Sequence, residues 1–304
     1  MAQATGEVEA GAAGGQGARE RAVAPLHRYE QSSIRVSLLF PTPEIAQQYY
    51  VPLAYTAART CYSEKLPQDI WADVQSGKVD EQKMRKLLSS VIESGHGTVI
   101  EHIWFTFAIS GVSRSLTHQL VRHRMGVSFD QQSQRYVRYK QPQYTVPATI
   151  AEDEELLSRF TDSIESNMEL YSELLGRDVP AEDARFLFAN GVQTNLVMTV
   201  NLRELIHMSG LRLCTMAQWE IRKLFALIKA EVRRVSPFLS SFLVIKCVSL
   251  GYCDEKRNED EHCKVRPHKN TVFAVFDEHR KAQRAARPQE PSPGPADPGA
   301  ARSE

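Results

Sequence analysis

The sequence lacks three features that would define its class at once: many cysteines, a long apolar run and an excess of charge of one sign. Five cysteines in 304 residues form no disulfide framework, so we expect a reducing, cytoplasmic location. The longest apolar run, 238–250, is too short for a membrane span and contains polar residues. The 37 basic and 37 acidic residues cancel, which excludes a chain that wraps nucleic acid through general positive charge.

The two ends of the chain differ in composition from its middle. Residues 1–33 contain five of the 16 glycines and few apolar side chains, and residues 281–304 contain five of the 15 prolines. Such segments bury too little apolar surface to offset the entropy of ordering. We therefore predict a disordered N-terminal extension over 1–33, a catalytic domain over 34–250, an unassigned extension over 251–280 and a disordered proline-rich tail over 281–304.

Between these ends, apolar periodicity predicts a mixture of strands and helices. Runs of β-branched and aromatic residues predict strands over 34–40, 103–109 and 195–200. Helical spacing predicts helices over 43–58, 80–94, 112–122, 151–175, 202–213 and 216–235. Because these elements do not alternate as repeated βαβ units, we expect a single α+β domain with a mixed arrangement of sheet and helices. No glycine-rich phosphate loop of the dinucleotide or P-loop type occurs.

The densest polar cluster spans residues 119–136. Four basic side chains lie within it: Arg122, His123, Arg124 and Arg135. A guanidinium group binds phosphate through two parallel hydrogen bonds, so several arginines on one loop predict a site for a nucleotide or a diphosphate. The polar run 131–134 adds neutral donors and acceptors that suit a base edge or a phosphate oxygen. A solvated helix end with surface arginines is the alternative.

Two further clusters contain candidate binding residues. In the first, Arg203 and His207 lie one turn apart on the predicted helix 202–213, and Arg212 lies near the other edge of its apolar stripe. A core or interface histidine is the alternative reading of His207. In the second, His96 and Thr98 lie in a glycine-flanked turn before the predicted strand 103–109.

Two groups of side chains could in principle bind a metal ion. The first is His96, Glu101 and His102, and the second is Cys253, His262, Cys263 and His268. Neither group has the spacing of a standard zinc motif, and the second lacks two cysteines separated by two to four residues. We therefore predict no metal.

Taken together, these clusters resemble the flavin-dependent thymidylate synthases. The triplet 122–124, Arg-His-Arg, followed by 133–136, Ser-Gln-Arg-Tyr, is similar to the signature of that family. Further motifs occur in the order of the family: 58–62, 95–98 with 101–102, 184–186, 201–203, 211–212 and 217–221. The resemblance covers most of the chain between 35 and 250.

This resemblance implies a function, a cofactor and an assembly. The family converts dUMP to dTMP, with methylenetetrahydrofolate as carbon donor and FAD, reduced by NADPH, as hydride source. It implies an α+β homotetramer whose active sites are shared between chains, with no nucleic-acid or membrane partner.

The resemblance also implies roles for individual residues. The implied flavin contacts are His96, Thr98, Arg122, His123, Arg124, Gln131, Asn201, Arg203 and His207. The implied dUMP contacts are Gln119, Leu120, Val121, Arg122, Gln131, Gln132, Ser133, Gln134, Arg135, Arg185 and Arg212. Arg212 is the implied catalytic residue, because a fixed cation beside the pyrimidine favours ionisation at N3 and stabilises developing negative charge. No cysteine nucleophile is required, and Cys214 is interpreted as a small apolar residue.

The sequence departs from the family pattern at four positions. Ser133 comes one residue later than the usual spacing, which either a one-residue bulge or participation of Ser128 would accommodate. Gln131 stands where the family commonly has Glu. His207 and Met216 stand where Asn and His are expected.

Two other functions fit the same residues. One is a different flavoenzyme that binds a nucleotide through the same arginines. The other is a module that binds single-stranded nucleic acid, for which aromatic side chains should be interleaved with basic ones. The segment 135–144 contains three tyrosines among its basic residues and keeps this alternative open.

Overall fold

A computed structural model describes residues 34–286. The extension predicted over 1–33 and the last part of the predicted tail, 287–304, lie outside the described residues. The helix Lys269–Ala286 continues six residues into the predicted tail, so the boundary at 281 was placed too early. Residues 281–286 are Lys, Ala, Gln, Arg, Ala and Ala, which all favour a helix, and the first proline of the tail is Pro288.

Four strands and a series of helices make up the described chain. The strands are β1 (Arg35–Phe40), β2 (Trp104–Ser113), β3 (Val127–Gln131) and β4 (Gln193–Asn201). The α-helices are α1 (Pro43–Ile45), α2 (Val51–Thr60), α3 (Pro67–Gln75), α4 (Glu81–Glu93), α5 (Arg114–Leu120), α6 (Ala148–Ala151), α7 (Glu154–Gly176), α8 (Ala181–Ala184), α9 (Leu202–Arg212), α10 (Trp219–Val235), α11 (Pro237–Ser240), α12 (Lys246–Leu250) and α13 (Lys269–Ala286). No helix among the described residues is long and apolar enough to cross a membrane.

The strands form one antiparallel sheet in the order β1-β2-β4-β3. On β2 the alternate residues Phe105, Phe107 and Ile109 are buried, and β4 presents Met198 and Val200 to the same core. The helices α2, α4 and α10 contribute to this core, so the sheet has one face buried under helices. The predicted α+β fold class is confirmed.

The helix predicted over 112–122 is shorter than its apolar spacing suggested. Val112 belongs to β2, where it pairs with Thr194, and α5 runs from Arg114 to Leu120. The side chain of Ser113 caps the helix, because its Oγ accepts the N–H of Leu116 at 3.1 Å. Val112 is buried as part of the strand. The sequence could not separate the two cases, because one apolar residue at this position fits both the strand period and the helix period.

Glu220 ties this junction between strand and helix to α10. Its carboxylate accepts the backbone N–H of Ser113 at 2.8 Å and the hydroxyl of Ser113 at 2.5 Å. Glu220 is only 1% exposed, and this burial raises the pKa of its carboxyl group. The start of α5, which leads into the arginine-rich loop, is therefore anchored to the first turn of α10.

The edge strand β3 was absent from the strands predicted from sequence. Its residues Val127–Gln131 pair with β4 from Val200 to Leu196 without a bulge. The strand is short, and the alternate residues Ser128 and Asp130 are exposed, so its apolar content is too low for a clear strand pattern. Pairing with β4 stabilises it. The extra residue before Ser133 is therefore not a bulge within β3.

Candidate active site

The arginine-rich loop after α5 contacts the start of α9 at Gly126 and Asn201. The N–H of Asn201 donates to the carbonyl of Gly126 at 2.9 Å, and the side chain of Asn201 caps α9 by accepting the N–H of Glu204 at 2.9 Å. Gly126 has φ of 65°, and a Cβ added there would lie 2.7 Å from Cγ of Asn201. Both its conformation and its close approach therefore require glycine.

His123 is the buried centre of this loop, with 7% of its surface exposed. Its Nε2 accepts a hydrogen bond from Nε of Arg212 at 3.0 Å, and its Nδ1 lies 3.2 Å from a carboxylate oxygen of Glu204. Burial first, and then the charges of Arg212 and His207, lower the pKa of His123 to about 4. His123 is therefore neutral at pH 7, with its proton on Nδ1 facing Glu204.

Arg212 is held at the end of α9 by two acceptors. Besides the bond to His123, its Nη2 donates to the backbone carbonyl of Gln119 at 3.1 Å. Partial burial lowers the pKa of Arg212 from its ordinary value, but an arginine with no nearby cation still carries its charge at neutral pH. Both partners are neutral acceptors, so the geometry fixes the guanidinium without neutralising it.

Arg203 joins the glycine-flanked turn to α9. A Cβ added at Gly97 would lie 2.8 Å from Nε of Arg203, so the arginine side chain lies directly on this turn. Its Nη1 also donates to the carboxylate of Glu101 at 2.5 Å. The structure thus brings Arg203 next to the turn that contains His96 and Thr98, both of which are exposed.

Arg122 and Arg124 lie on the exposed side of the same loop. Between residues 34 and 283, neither forms an ion pair with a carboxylate. This contrasts with Arg85, Arg135, Arg177 and Arg203, which all pair with an acidic side chain. Two exposed and unneutralised guanidinium groups next to each other attract an anion, as the sequence predicted.

The polar run after β3 is anchored to β4 and α5. The N–H of Gln132 donates to the carbonyl of Asn195 at 2.9 Å, which extends the strand pairing by one residue. Arg114 donates through Nη2 to the carbonyl of Gln132 at 2.9 Å. Gln131 donates to the hydroxyl of Thr117 at 3.3 Å, so it contacts α5. Ser128 lies within β3, opposite Thr199, and its participation stays a prediction.

Ser133 begins a tight turn that presents Arg135. Its Oγ accepts the backbone N–H groups of Arg135 at 3.1 Å and of Tyr136 at 3.4 Å. The side-chain Nε2 of Gln134 is buried and has no hydrogen-bond partner within the described chain. A buried amide donor without a partner is costly, and a bound acceptor would remove that cost.

Arg135 and Arg185 meet at Glu182. Nε of Arg135 donates to the carboxylate of Glu182 at 2.5 Å, and Nε of Arg185 donates to its backbone carbonyl at 3.0 Å. Sequence reasoning did not identify Glu182 as part of the site. The sequence gives little indication of this role, because Glu182 lies in the first turn of α8, where acidic residues are common in any helix.

Two of the predicted dUMP contacts differ in accessibility. Leu120 is fully buried in the hydrophobic core, whereas its neighbour Val121 is exposed. The side chain of Leu120 therefore packs inside the domain, and a contact of Leu120 with dUMP, which would have to use its main chain, stays a prediction. Leu120 ends α5, and the carbonyl of Leu120 accepts the N–H of His123 at 3.2 Å.

The predicted contacts form two groups at opposite ends of β3. Most of the predicted flavin contacts, together with Gln119, Arg122 and Arg212, lie near Gly126 and Asn201, where β3 begins. Gln131 and the predicted phosphate contacts lie where β3 ends. Six residues of extended chain separate these ends by about 20 Å. We call these two groups of predicted contacts half-sites.

His123, Glu204 and His207 are close enough to bind one metal ion, because a potential ligand atom of each lies within 4.8 Å of the others. Nε2 of His123 accepts a hydrogen bond from Arg212, whose positive charge opposes a cation at this place. Hydrogen bonding therefore explains this group, and the absence of a metal stays a prediction. Glu204 was missed from sequence because acidic residues are common in a first helical turn.

Comparison with known proteins relates this geometry to a family. The sequence profile of a family described as "Thymidylate synthase complementing protein" matches residues 49–238. The flavin-dependent thymidylate synthase of Nitratidesulfovibrio vulgaris is 41% identical over 229 residues, which are 73% of this chain and 91% of that protein. The chain belongs to the flavin-dependent thymidylate synthase family. The enzyme of the same name from Clostridium tetani is 36% identical over 244 residues, 75% of this chain and 93% of its own.

A solved structure supports the fold. The crystal structure of a UMP/dUMP methylase, PolB, from Streptomyces cacaoi bound with 5-Br dUMP has a TM-score of 0.59 with this chain. The two chains are 22% identical, and the match covers 70% of this chain and 95% of the methylase chain. At this identity the similarity concerns the fold alone. The predicted family membership is confirmed by the family profile and by the related sequences.

We predict that Gly126→Ala destabilises the protein more than Gly77→Ala. Both glycines have positive φ, but a Cβ at Gly77 meets nothing within 4 Å, whereas one at Gly126 collides with Asn201. The backbone strain is shared, at about 1 kcal/mol, and the collision should add about 1–3 kcal/mol. Urea unfolding of both variants measures the difference. Equal losses in the two variants would contradict the required close contact.

We predict that His123 makes stability depend on pH. Its pKa rises from about 4 in the folded state to the ordinary 6.5 on unfolding, so the unfolded chain binds more protons between these values. Stability should therefore fall as the pH is lowered through this window, by about 2 kcal/mol from pH 7 to pH 5. Urea unfolding at both pH values should show a smaller fall for His123→Gln. The variant His118→Gln, at an exposed site on α5, should behave like the wild type.

Proposed function

We propose that the protein converts dUMP to dTMP, with methylenetetrahydrofolate as carbon donor and NADPH-reduced FAD as hydride source. The observation that carries this proposal is the fixed guanidinium of Arg212, held by His123 and the carbonyl of Gln119. Membership of the family supports it, since the related proteins are named flavin-dependent thymidylate synthases. The reaction class is methyl transfer to a pyrimidine nucleotide.

The residues around Gly126 fit a flavin dinucleotide. Arg122 and Arg124 are exposed and form no ion pair with a carboxylate of the described residues, which suits a diphosphate. Arg203 lies on the turn of His96 and Thr98 and extends the same positive surface. Asn201 and His207 are the proposed contacts at the α9 edge, and Gln131 would contribute from the far end of β3. Bound flavin would supply the hydride that reduces the transferred methylene group to a methyl group, and NADPH would restore the reduced flavin.

The residues after β3 fit the phosphate of dUMP. Arg135 pairs with Glu182 in an ion pair whose two side chains are 55% and 44% exposed. Such exposed pairs contribute at most about 1 kcal/mol, so a phosphate dianion can replace Glu182 as the partner of Arg135. The proposed phosphate contacts are Ser133, Gln134 and Arg185 beside Arg135, with Gln132 and Gln119 as further contacts of the nucleotide. The unpartnered amide of Gln134 would gain an acceptor.

Arg212 would activate the pyrimidine. C5 of uracil attacks the methylene carbon only if electron density is pushed onto the ring, and the C5 proton is then lost. A cation beside the ring stabilises the negative charge that develops during this step. Because His123 is neutral and accepts from Nε of Arg212, it orients the guanidinium without competing for its charge. The catalytic role of Arg212 therefore depends on the depressed pKa of His123.

We propose that the active sites are shared between chains of a homotetramer. The two half-sites lie about 20 Å apart along β3 in one chain. Large apolar side chains next to the functional arginines are strongly exposed: Met125 at 78%, Tyr136 at 77% and Phe186 at 85%. Exposed apolar groups beside functional residues indicate a surface that another chain covers.

The five free thiols support a cytoplasmic location.

The proposed reaction is tested by tritium release from dUMP labelled at C5, in the presence of methylenetetrahydrofolate, NADPH and FAD. The wild type should release tritium and form dTMP. Arg212→Ala should lower kcat by about 10²- to 10³-fold, as is usual when one preorganised electrostatic group is removed. The variant should still bind flavin, which the visible absorbance of the purified protein reports. Release by the wild type that Arg212→Ala leaves unchanged would contradict the role of Arg212.

We predict that Arg135→Ala weakens dUMP binding by about 10- to 100-fold, because it removes a charge-assisted hydrogen bond to phosphate. Glu182→Gln should act in the opposite direction, since it removes the competing carboxylate. Calorimetric titration with dUMP measures both. Arg177→Ala is the matched control, because Arg177 also pairs with one glutamate, Glu173, but lies at the end of α7. An unchanged dUMP dissociation constant in Arg135→Ala would refute the phosphate contact.

A further inference from the structure

Four of the five cysteines line one cavity that the proposed reaction does not use. They are Cys214, Cys247, Cys253 and Cys263, and the cavity has a volume of about 170 Å³. Cys214 follows the last turn of α9, Cys247 lies in α12, and the other two belong to the segment between α12 and α13. The fifth, Cys61, is exposed at the end of α2 and does not line this cavity.

The segment that contains Cys253 and Cys263 is organised around a buried asparagine. Asn258 is fully buried, and its Oδ1 accepts the N–H of Cys263 at 2.7 Å. Its Nδ2 donates to the carbonyl of Cys263 at 3.3 Å and lies 3.6 Å from the sulfur of Cys253. The backbone of Cys253 also forms a β-bridge with His268, and the N–H of Cys253 donates to the carbonyl of Pro267 at 2.8 Å. A buried polar side chain thus holds both cysteines on the same side of this segment.

The two cysteines from the core face this segment. The hydroxyl of Thr215, which follows Cys214, donates to the sulfur of Cys263 at 3.2 Å. All four cysteine side chains line the one cavity, together with Thr215.

We propose that Cys214, Cys247, Cys253 and Cys263 bind a zinc ion through four thiolates. Four thiolates are soft ligands and form the usual closed tetrahedral set of a structural zinc site. Binding releases the four thiol protons to solvent and leaves a complex of two negative charges. Lys246, Arg266, Asp254 and Glu255 also line the cavity, and Lys246 pairs with Asp254, so these side chains offset one another and the complex keeps a net negative charge.

Zinc binding requires a small closure of the segment. No three of the described cysteine sulfurs all lie within 4.8 Å of one another, whereas each zinc–sulfur bond is about 2.3 Å long. Cys253 and Cys263 lie outside α-helices and are held to each other by Asn258, and Cys214 lies just beyond α9, so the proposed closure brings the Asn258 segment as a unit toward Cys214 and Cys247. Pairs joined as disulfides are the alternative outcome of the same proximity.

This site differs from the ligand group considered in the sequence. That group combined Cys253 and Cys263 with His262 and His268. His262 is exposed and pairs with Asp260 at 2.7 Å, which removes it from the cavity. Of the two further cysteines, Cys247 lies six residues before Cys253 and Cys214 lies 39 residues before it, so neither forms the two-to-four-residue spacing of a standard zinc motif. Three of the four proposed ligands follow residue 238, where the match to the family profile ends.

The test measures metal content rather than enzyme activity. Full-length protein produced with added zinc and dialysed should contain about one zinc per chain, and Cys253→Ser should reduce this to about a tenth or less. Cys61→Ser is the matched control and should keep the wild-type content. Cobalt replacing zinc should give the intense visible and near-ultraviolet bands of a tetrahedral thiolate site in the wild type and in Cys61→Ser alone.

A second measurement covers the case in which Cys253→Ser does not fold. Mercuribenzoate added to Cys61→Ser, which keeps only the four cavity cysteines, should release zinc in step with modification of four thiols, and a chromogenic chelator detects the released zinc. Zinc content that is equal in Cys253→Ser and Cys61→Ser would overturn the proposal. A wild type that contains no zinc, or that shows the absorbance of an iron–sulfur cluster, would also overturn the proposal. A mass about 2 Da lower for each disulfide, in protein without zinc, would overturn it in favour of disulfides. None of these outcomes depends on whether the protein makes dTMP.

Discussion

The close contact between Gly126 and Asn201 is the constraint on which the candidate active site depends. There the loop that carries the arginines meets the first turn of α9, with no room for a side chain at Gly126. One hydrogen bond joins the two backbones, and the same asparagine side chain caps α9. Because loop and helix are fixed to each other, His123 and Arg212 lie within hydrogen-bonding distance although 89 residues separate them.

The electrostatics of the site follow from this packing. Burial keeps His123 neutral, so it can accept a hydrogen bond from a guanidinium that remains charged. Arg122 and Arg124 remain exposed and pair with no carboxylate in the part of the chain that the structure describes, whereas Arg135 has Glu182 as an exchangeable partner. The site therefore combines a fixed cation, which suits catalysis, with cations that can change partners, which suits binding of anionic ligands.

Much of the fold could be predicted from periodicity, because most strands and helices bury one regular apolar face. The α+β class and the long helices α7 and α10 were accessible in this way. The edge strand β3 was not, because its alternate residues are exposed and only pairing with β4 makes it a strand. The limits of α5 also required the structure, since Val112 is buried equally well by a strand. Glu204, Glu182 and Glu220 were missed because an acidic residue in a first turn is common, and only the fold shows what it contacts.

The sequence by itself determined the family and predicted the residue types of the active site and its arginine-rich loop, because these depend on motifs that are local in the chain. Only the tertiary structure decided which charges are paired, which histidines are buried, and how far apart the two groups of predicted contacts lie. It also decided that four cysteines, spread from 214 to 263, meet at one cavity. Distances between residues far apart in the chain depend on packing of the whole domain, and the spacing of residues along the chain does not contain them.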